Sequence, residues 1–166
     1  MTHQAMHASC VLAGTSGVLL RGASGAGKSR LGRLIVEEAQ ARGRLGLHVA
    51  DDRVHLRPRN GRLIASCPPP IAGLWELRGE GIVKVVCETC VVVRLVVDLL
   101  PEDEIERLPE AGDRVVRLLG IELVRLTLPS GGDGGAALRV MGELRSLEGA
   151  AFPPKAGASP GAEARL

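Results

Sequence analysis

The residues best suited to chemistry lie in one glycine-rich stretch, Gly22-Ala23-Ser24-Gly25-Ala26-Gly27-Lys28-Ser29, which fits the pattern G-x-x-x-x-G-K-[ST] in full. Missing side chains let backbone N–H groups converge on a polyphosphate, and a helix starting there adds its positive end. In that pattern Lys28 reaches the β and γ oxygens and Ser29 ligates Mg²⁺. Phosphoryl transfer also needs carboxylates, for the metal and for the incoming nucleophile. Two candidates compete. Asp51 and Asp52 are an adjacent pair, able to divide the work of orienting a metal and accepting a hydroxyl proton. Asp98 closes the apolar run Val91-Val92-Val93-Arg94-Leu95-Val96-Val97 and reads as the end of a Walker B strand. Spacing alone gives the pair a narrow edge.

These residues need elements to position them. Cys10 to Ala13 and Val18 to Leu20 read as strands joined by a turn at Gly14-Thr15-Ser16-Gly17, the second strand feeding the glycine loop. From Lys28 to Arg42 the apolar residues Leu31, Leu34, Ile35 and Ala39 recur at helical spacing, and Gly43 is placed to terminate that helix. Leu45 to Ala50 reads as a strand running into the acid pair, and Val54 to Leu56 as a continuation before a hairpin turn at Asn60-Gly61. The prolines after Cys67 fit a stiff surface connection. Val91 to Leu99 reads as a buried strand, Pro101 to Pro109 as a short polar helix or turn, and Ile121 to Leu128 as another strand. Ser130 to Gly135, nearly free of side chains, reads as a mobile loop or linker, and Ala136 to Leu147 as a helix with Leu138, Met141 and Leu144 in phase. Residues 1–148 form one expected domain. The Ala-, Pro- and Gly-rich stretch 149–166 is expected to be a disordered tail.

Composition narrows the classes. A chain of 166 residues buries roughly 70% of its unfolded surface as one domain. Trp75 and Phe152 are its only aromatics, so aliphatic layers between sheet and helices must fill the core. The formal charge of +2 is scattered, which argues against a nucleic-acid footprint. No run is long and apolar enough for a membrane span, and the start resembles no signal peptide, so a cytoplasmic soluble protein is expected. Cys87 and Cys90 make a Cys-x-x-Cys pair, but no second ligand pair stands at zinc spacing, so unliganded thiols are expected.

Several stretches together resemble the catalytic C-terminal domain of bacterial HPr kinase/phosphorylase, in the short proteobacterial form. They are His7 followed by Gly17-Val18-Leu19-Leu20 and the glycine loop, Val49-Ala50-Asp51-Asp52-Arg53-Val54, Trp75-Glu76-Leu77-Arg78-Gly79-Glu80-Gly81-Ile82-Val83, and Ile121 to Pro129. The resemblance spans roughly residues 5–129 and implies an α/β fold with a P-loop-containing, phosphoenolpyruvate carboxykinase-like core, a mixed β-sheet with flanking helices. It implies an ATP- and Mg²⁺-dependent serine kinase acting on the phosphocarrier HPr in regulation of carbohydrate and phosphotransferase-system metabolism. It implies His7 as an active-site histidine, Lys28 and Ser29 in the roles above, Asp52 as base toward the target serine with Asp51 assisting at the metal, Glu76 as a second Mg²⁺ ligand, and Arg107 as a catalytic arginine. A hexamer of catalytic domains is also implied. Arg30 stands where a Glu usually follows the loop serine, Glu80 replaces an apolar residue, and Ser130 to Gly135 lacks the arginine of the family's dephosphorylation loop. The resemblance therefore gives no support for the reverse, phosphorylase reaction. Two rival readings are a non-catalytic ATP-sensing module that docks a phosphocarrier protein, and a P-loop kinase acting on a small metabolite.

Overall fold

The computed structural model describes residues 4–108 and 110–149. In chain order the strands and helices are β1 (Gln4–Met6), β2 (Ser9–Ala13), β3 (Ser16–Gly22), α1 (Lys28–Ala41), β4 (Gly46–Ala50), β5 (Val54–Arg59), β6 (Arg62–Ser66), β7 (Leu74–Leu77), β8 (Gly81–Lys84), β9 (Cys90–Leu100), β10 (Val115–Leu118), β11 (Ile121–Pro129) and α2 (Gly134–Gly149). Of the tail expected over 149–166, Gly149 is the last residue of α2, and 150–166 lie outside the described residues.

The architecture turns on β9, whose apolar run is long enough to serve three neighbours. Along one edge it pairs in parallel with β3, from Gly17↔Val93 to Gly22↔Leu99. Its other edge is shared. The first half takes β6 antiparallel, from Ser66↔Cys90 to Leu63↔Val93, and the second half takes β11 in parallel, from Val124↔Leu95 to Pro129↔Leu100. From this centre the sheet runs β1-β5-β6-β9-β3-β2-β4, with β10 hairpinned onto β11. This is the mixed sheet with flanking helices that the sequence leads one to expect.

Period-two alternation sorts the side chains onto two faces. Leu20, Leu95, Val97 and Leu99 meet Leu31 and Ile35 of α1 and Val140, Met141 and Leu144 of α2, with Trp75 in the same layer. Leu19 and Val96 point to the other face, where Cys10, Val49, Leu56 and Leu63 form a second layer under Val116 and Leu118 of the β10 hairpin. Each fully buried Leu or Ile stabilises the fold by about 1.5–3 kcal/mol. In α2 the buried stripe is Ala137, Val140, Met141 and Leu144, while Leu138 is half-exposed. Met141 and Leu144 were in phase; Leu138 was not.

Local stops work as their residues dictate. Gly43 adopts φ +69°, its N–H donates to Gln40 O (2.9 Å) and that of Arg44 to Ala39 O (2.9 Å), a Schellman closure of α1. Asn60 and Gly61, with φ +50° and +71°, make the β5–β6 hairpin turn.

The segment 130–133 departs from the mobile linker expected of it. Ser130 N–H donates to Leu100 O (2.8 Å) and Gly131 N–H to Ala26 O (2.8 Å), while Asp133 caps α2 by accepting from Ala136 N–H (2.8 Å). Gly132 is buried at φ +57°, and a Cβ there would lie 2.5 Å from Gly27 O. Gly132 serves close packing against the glycine loop, not slack.

Candidate functional site

The loop from Gly22 to Ser29 leaves β3 and enters α1, as the motif requires. Gly25 and Gly27 take φ +79° and +96°, a region that side chains avoid, and Ala26 N–H closes a turn on Ala23 O (3.0 Å). Beneath it, Gly22 approaches Leu99 so closely that a Cβ would meet the Leu99 carbonyl at 2.9 Å. Lys28, buried, folds back over the loop, its Nζ donating to Gly22 O (2.9 Å) and Ala23 O (3.0 Å). Burial pushes the Lys28 ammonium below its ordinary value, and the nearby carboxylates of Asp52 and Asp51 offset part of that.

Asp51, one residue past β4, is buried, and its hydrogen-bond donors among the described residues are neutral. Ser9 Oγ donates to Oδ1 at 2.6 Å, Ser29 Oγ to Oδ1 at 2.8 Å and Oδ2 at 3.0 Å, and the Glu76 backbone N–H to Oδ2 at 3.1 Å. The Glu76 amide is there because β7 and β8 form a separate two-stranded sheet docked on this edge. Trp75 anchors that hairpin: its indole N–H donates to Ser29 O (3.2 Å), and its ring fills the space a Cβ on Gly32 would need, 2.9 Å away. On its other side Trp75 meets the His48 ring at 4.2 Å between centroids.

Asp52 stands in the left-handed region at φ +62°, strained for a residue with a side chain. That backbone turns its carboxylate outward, 72% exposed, to His7, whose Nδ1 lies 3.0 Å from Asp52 Oδ1. His7 Nε2 lies 3.3 Å from Lys28 Nζ. With Nδ1–H given to Asp52, Nε2 keeps the lone pair that an ammonium N–H needs, so Asp52, His7 and Lys28 form one chain of contacts.

The structure thus gathers Gly22–Ser29, Asp51, Asp52 and His7. It brings Glu76 only by its main chain, the carboxylate standing exposed. Arg107 is exposed and lines a separate cleft of about 940 Å³ with Arg114, Arg125, Arg139 and Glu143, so it is not assembled with the loop lysine here. The Walker B alternative fails. Asp98 is buried, gripped by Arg21 through two bonds of 2.7 Å and by Arg125 at 2.6 Å. Burial pushes the Asp98 carboxyl up, but the two guanidinium groups outweigh it and hold the group below its ordinary value. A carboxylate so neutralised has no charge left for a metal.

Among the described residues no group of three or more His, Cys, Asp or Glu side chains could hold a metal on its own, and Cys10, Cys67, Cys87 and Cys90 are free thiols. The Ser29–Asp51 pair nevertheless suits Mg²⁺, which takes hard oxygen ligands, keeps several waters and shares one or two carboxylates with substrate phosphates. Ser29 gives its proton to Asp51, leaving the oxygen lone pairs for a cation. Ser9, Trp75 and His48 complete the site. Trp75 lay within the recognised stretch without a role; for Ser9 the only signal was its place two residues after His7.

A strand, glycine loop and helix with lysine and acids at the loop mouth, on a sheet of this order, define a P-loop kinase-like fold. The chain belongs to the HPr serine kinase C-terminal domain family, whose model matches residues 1–131. Curated proteins named HPr kinase/phosphorylase from Burkholderia cenocepacia, Burkholderia mallei and Paraburkholderia phymatum are each 34% identical over 140 residues, covering 78% of this chain. The chain spans 41% of their length. A solved structure described as the Hpr(Ser) kinase/phosphatase from Coxiella burnetii superposes with a TM-score of 0.72 at 25% identity, over 87% of this chain and 96% of that one. No helix among the described residues is long and apolar enough to cross a membrane.

Proposed function

We propose that this domain binds ATP with Mg²⁺ at Gly22–Ser29 and transfers the γ-phosphoryl to a serine hydroxyl of an HPr-like phosphocarrier protein, in the cytoplasm, as part of carbohydrate and phosphotransferase-system regulation. The observation that carries this reading is the division of labour between adjacent acids. Asp51 faces inward to the loop serine; Asp52, turned out by its positive φ, faces solvent where a protein hydroxyl can approach.

In this mechanism the loop amides and Lys28 hold the β and γ phosphates, Lys28 exchanging its bonds to Gly22 O and Ala23 O for phosphate oxygens. Ser29 and Asp51 would hold the metal, which would supply charge neutralisation at the transferred group. Asp52 accepts the serine proton, and His7 keeps its carboxylate beside Lys28. In this reading Glu76 would serve as a further ligand of the metal and Arg107 as a cation for the transferred group. The family's hexamer is the assembly proposed.

Incubation of the purified chain with γ-labelled ATP and the cognate HPr-like protein tests the reading. Label on a serine of the carrier is expected. Asp52→Asn is expected to lower transfer by about 10²- to 10⁴-fold with ATP binding retained. Tight Mg²⁺-dependent ATP binding without transfer would instead identify a sensing module, and label on a small metabolite a different kinase.

A further inference from the structure

Ser9 is fully buried, and its hydroxyl makes the shortest bond in the site, 2.6 Å to Asp51 Oδ1. Its position follows from strand register. β2 and β4 run antiparallel with Cys10 opposite Ala50, so the next pair outward is Ser9 and Asp51. The same stretch of β2 pairs Ser9 with Leu20 of β3, the strand that delivers the glycine loop. Ser9 is thereby fixed from both sides, while Asp51 sits beyond the end of β4 with one more rotatable bond between its backbone and its charge.

A carboxylate has about four lone-pair directions. In Asp51 Oδ1 takes Ser9 and Ser29, and Oδ2 takes the Glu76 amide and shares Ser29. Deleting the Ser9 hydroxyl would leave Oδ1 with Ser29 alone, and the rotation of the carboxylate held only by Ser29 itself and the Glu76 amide. Ser29 would then share its proton with a less firmly oriented acceptor, and its oxygen lone pairs would lose part of their fixed direction.

We infer that Ser9 is a positioning residue: its hydroxyl sets the rotation of Asp51, so that Asp51 holds the Ser29 proton and turns the Ser29 oxygen toward the cation that accompanies the nucleotide. This rests on the nucleotide-binding reading above. Groups that orient a metal's direct ligands typically change metal affinity by about 10- to 100-fold when removed. A purely structural Ser9 would lower stability, and any loss of nucleotide binding would be the same with and without Mg²⁺.

The test compares wild type, Ser9→Ala, Ser9→Cys and Ser9→Thr in ATP titrations at graded Mg²⁺ and in chelator. Trp75 is the only Trp in a chain without Tyr, and its indole N–H touches Ser29, so its fluorescence reports binding without turnover. Ser9→Ala is expected to raise the Mg²⁺ concentration for half-saturation by roughly tenfold or more, with ATP affinity in chelator unchanged. Ser9→Thr, which keeps the hydroxyl, is expected to restore most of the Mg²⁺ requirement. If Ser9→Ala fails to fold, Ser9→Cys keeps the size with only a weak S–H donor and is expected to show the same shift. A wild-type Mg²⁺ requirement in Ser9→Ala or Ser9→Cys, or an equal loss in chelator and in Mg²⁺, overturns the inference and leaves the functional reading standing. Wild-type protein that binds ATP with no Mg²⁺ dependence overturns both.

Discussion

Two buried aspartates, one near the end of β9 and one just past β4, belong to the same sheet, and their partners differ in kind. Asp98 is met by two guanidinium groups from β3 and β11, Asp51 by two hydroxyls and an amide. Bidentate charge-assisted bonds use up the charge of Asp98 and lock β3, β9 and β11 together. Neutral donors orient the carboxylate of Asp51 and leave its charge unspent. Lys28 feels that charge, but its Nζ is bonded to Gly22 O and Ala23 O. The difference separates an acid that holds a structure from one that, in the function proposed, would hold a cation.

The largest effect expected from this contrast is on chemistry. Asp51→Asn replaces a charge by an amide and should lower phosphoryl transfer by at least about 10³-fold, about 4 kcal/mol of barrier, with the thermal midpoint little changed. Asp98→Asn should do the reverse. Leaving two partly buried guanidinium groups without their acid should cost somewhat less than the roughly 3–5 kcal/mol of a fully buried pair, read by chemical denaturation, while transfer per folded molecule is retained. If Asp98→Asn abolishes transfer in a fully folded protein, the contrast is broken.

The same contrast has a pH signature. The folded value of Asp98 lies below its ordinary 3.8, so its stabilisation is present above that pH and is lost as pH falls from there toward the lower folded value. Denaturation midpoints should fall steeply on acidification in wild type. In Asp98→Asn this part of the slope should be absent.

How far the sequence discloses this follows from the range of the interactions. The glycine loop, its flanking strand and helix, the Gly43 stop and the Asn60-Gly61 hairpin are written in residues within a few positions of one another. Choosing between Asp51 and Asp98 is not local: Arg21 lies 77 residues from Asp98, and Ser9 lies 42 from Asp51. The β10–β11 hairpin turns through Leu119 and Gly120 at φ +49° and +80°, and a leucine there gives no turn signal. Gly132 misleads for a different reason. Absence of a side chain marks both slack chain and close approach, and only the neighbour, here the carbonyl of Gly27, tells which.

That neighbour supplies the next test, because the site side of the contrast depends on loop shape. Gly132→Ala places a methyl group 2.5 Å from Gly27 O at a φ that alanine resists. It should cost about 1–3 kcal/mol of stability and weaken ATP binding at fixed Mg²⁺, measured by calorimetry. Gly120→Ala, also at positive φ but with nothing within 4 Å, carries the backbone strain without the clash. It should lower stability and leave ATP binding unchanged. Equal binding losses in the two variants would mean that 132 does not shape the loop.

The smallest effect concerns what keeps Asp51 uncompensated. His48 packs tilted against Trp75 within electrostatic reach of Asp51, and its Nδ1 is buried with no hydrogen-bond partner among the described residues. Burial pushes the imidazole below its ordinary value of 6.5, with Arg33 adding to the shift and Asp51 and Glu37 opposing it. The folded ring is therefore neutral where the unfolded one takes up a proton, so stability falls as pH drops below about 6.5. His48→Phe keeps the ring against Trp75 and removes the unsatisfied nitrogen, whose burial costs about 1–3 kcal/mol. The expected outcome is a stability within about 1 kcal/mol of wild type at neutral pH and a flatter profile between pH 6.5 and the lower folded value. A substantial loss of Mg²⁺-dependent ATP binding in this variant would show that His48 acts on Asp51 directly, and the carboxylate would then not be the uncompensated charge on which the contrast with Asp98 rests.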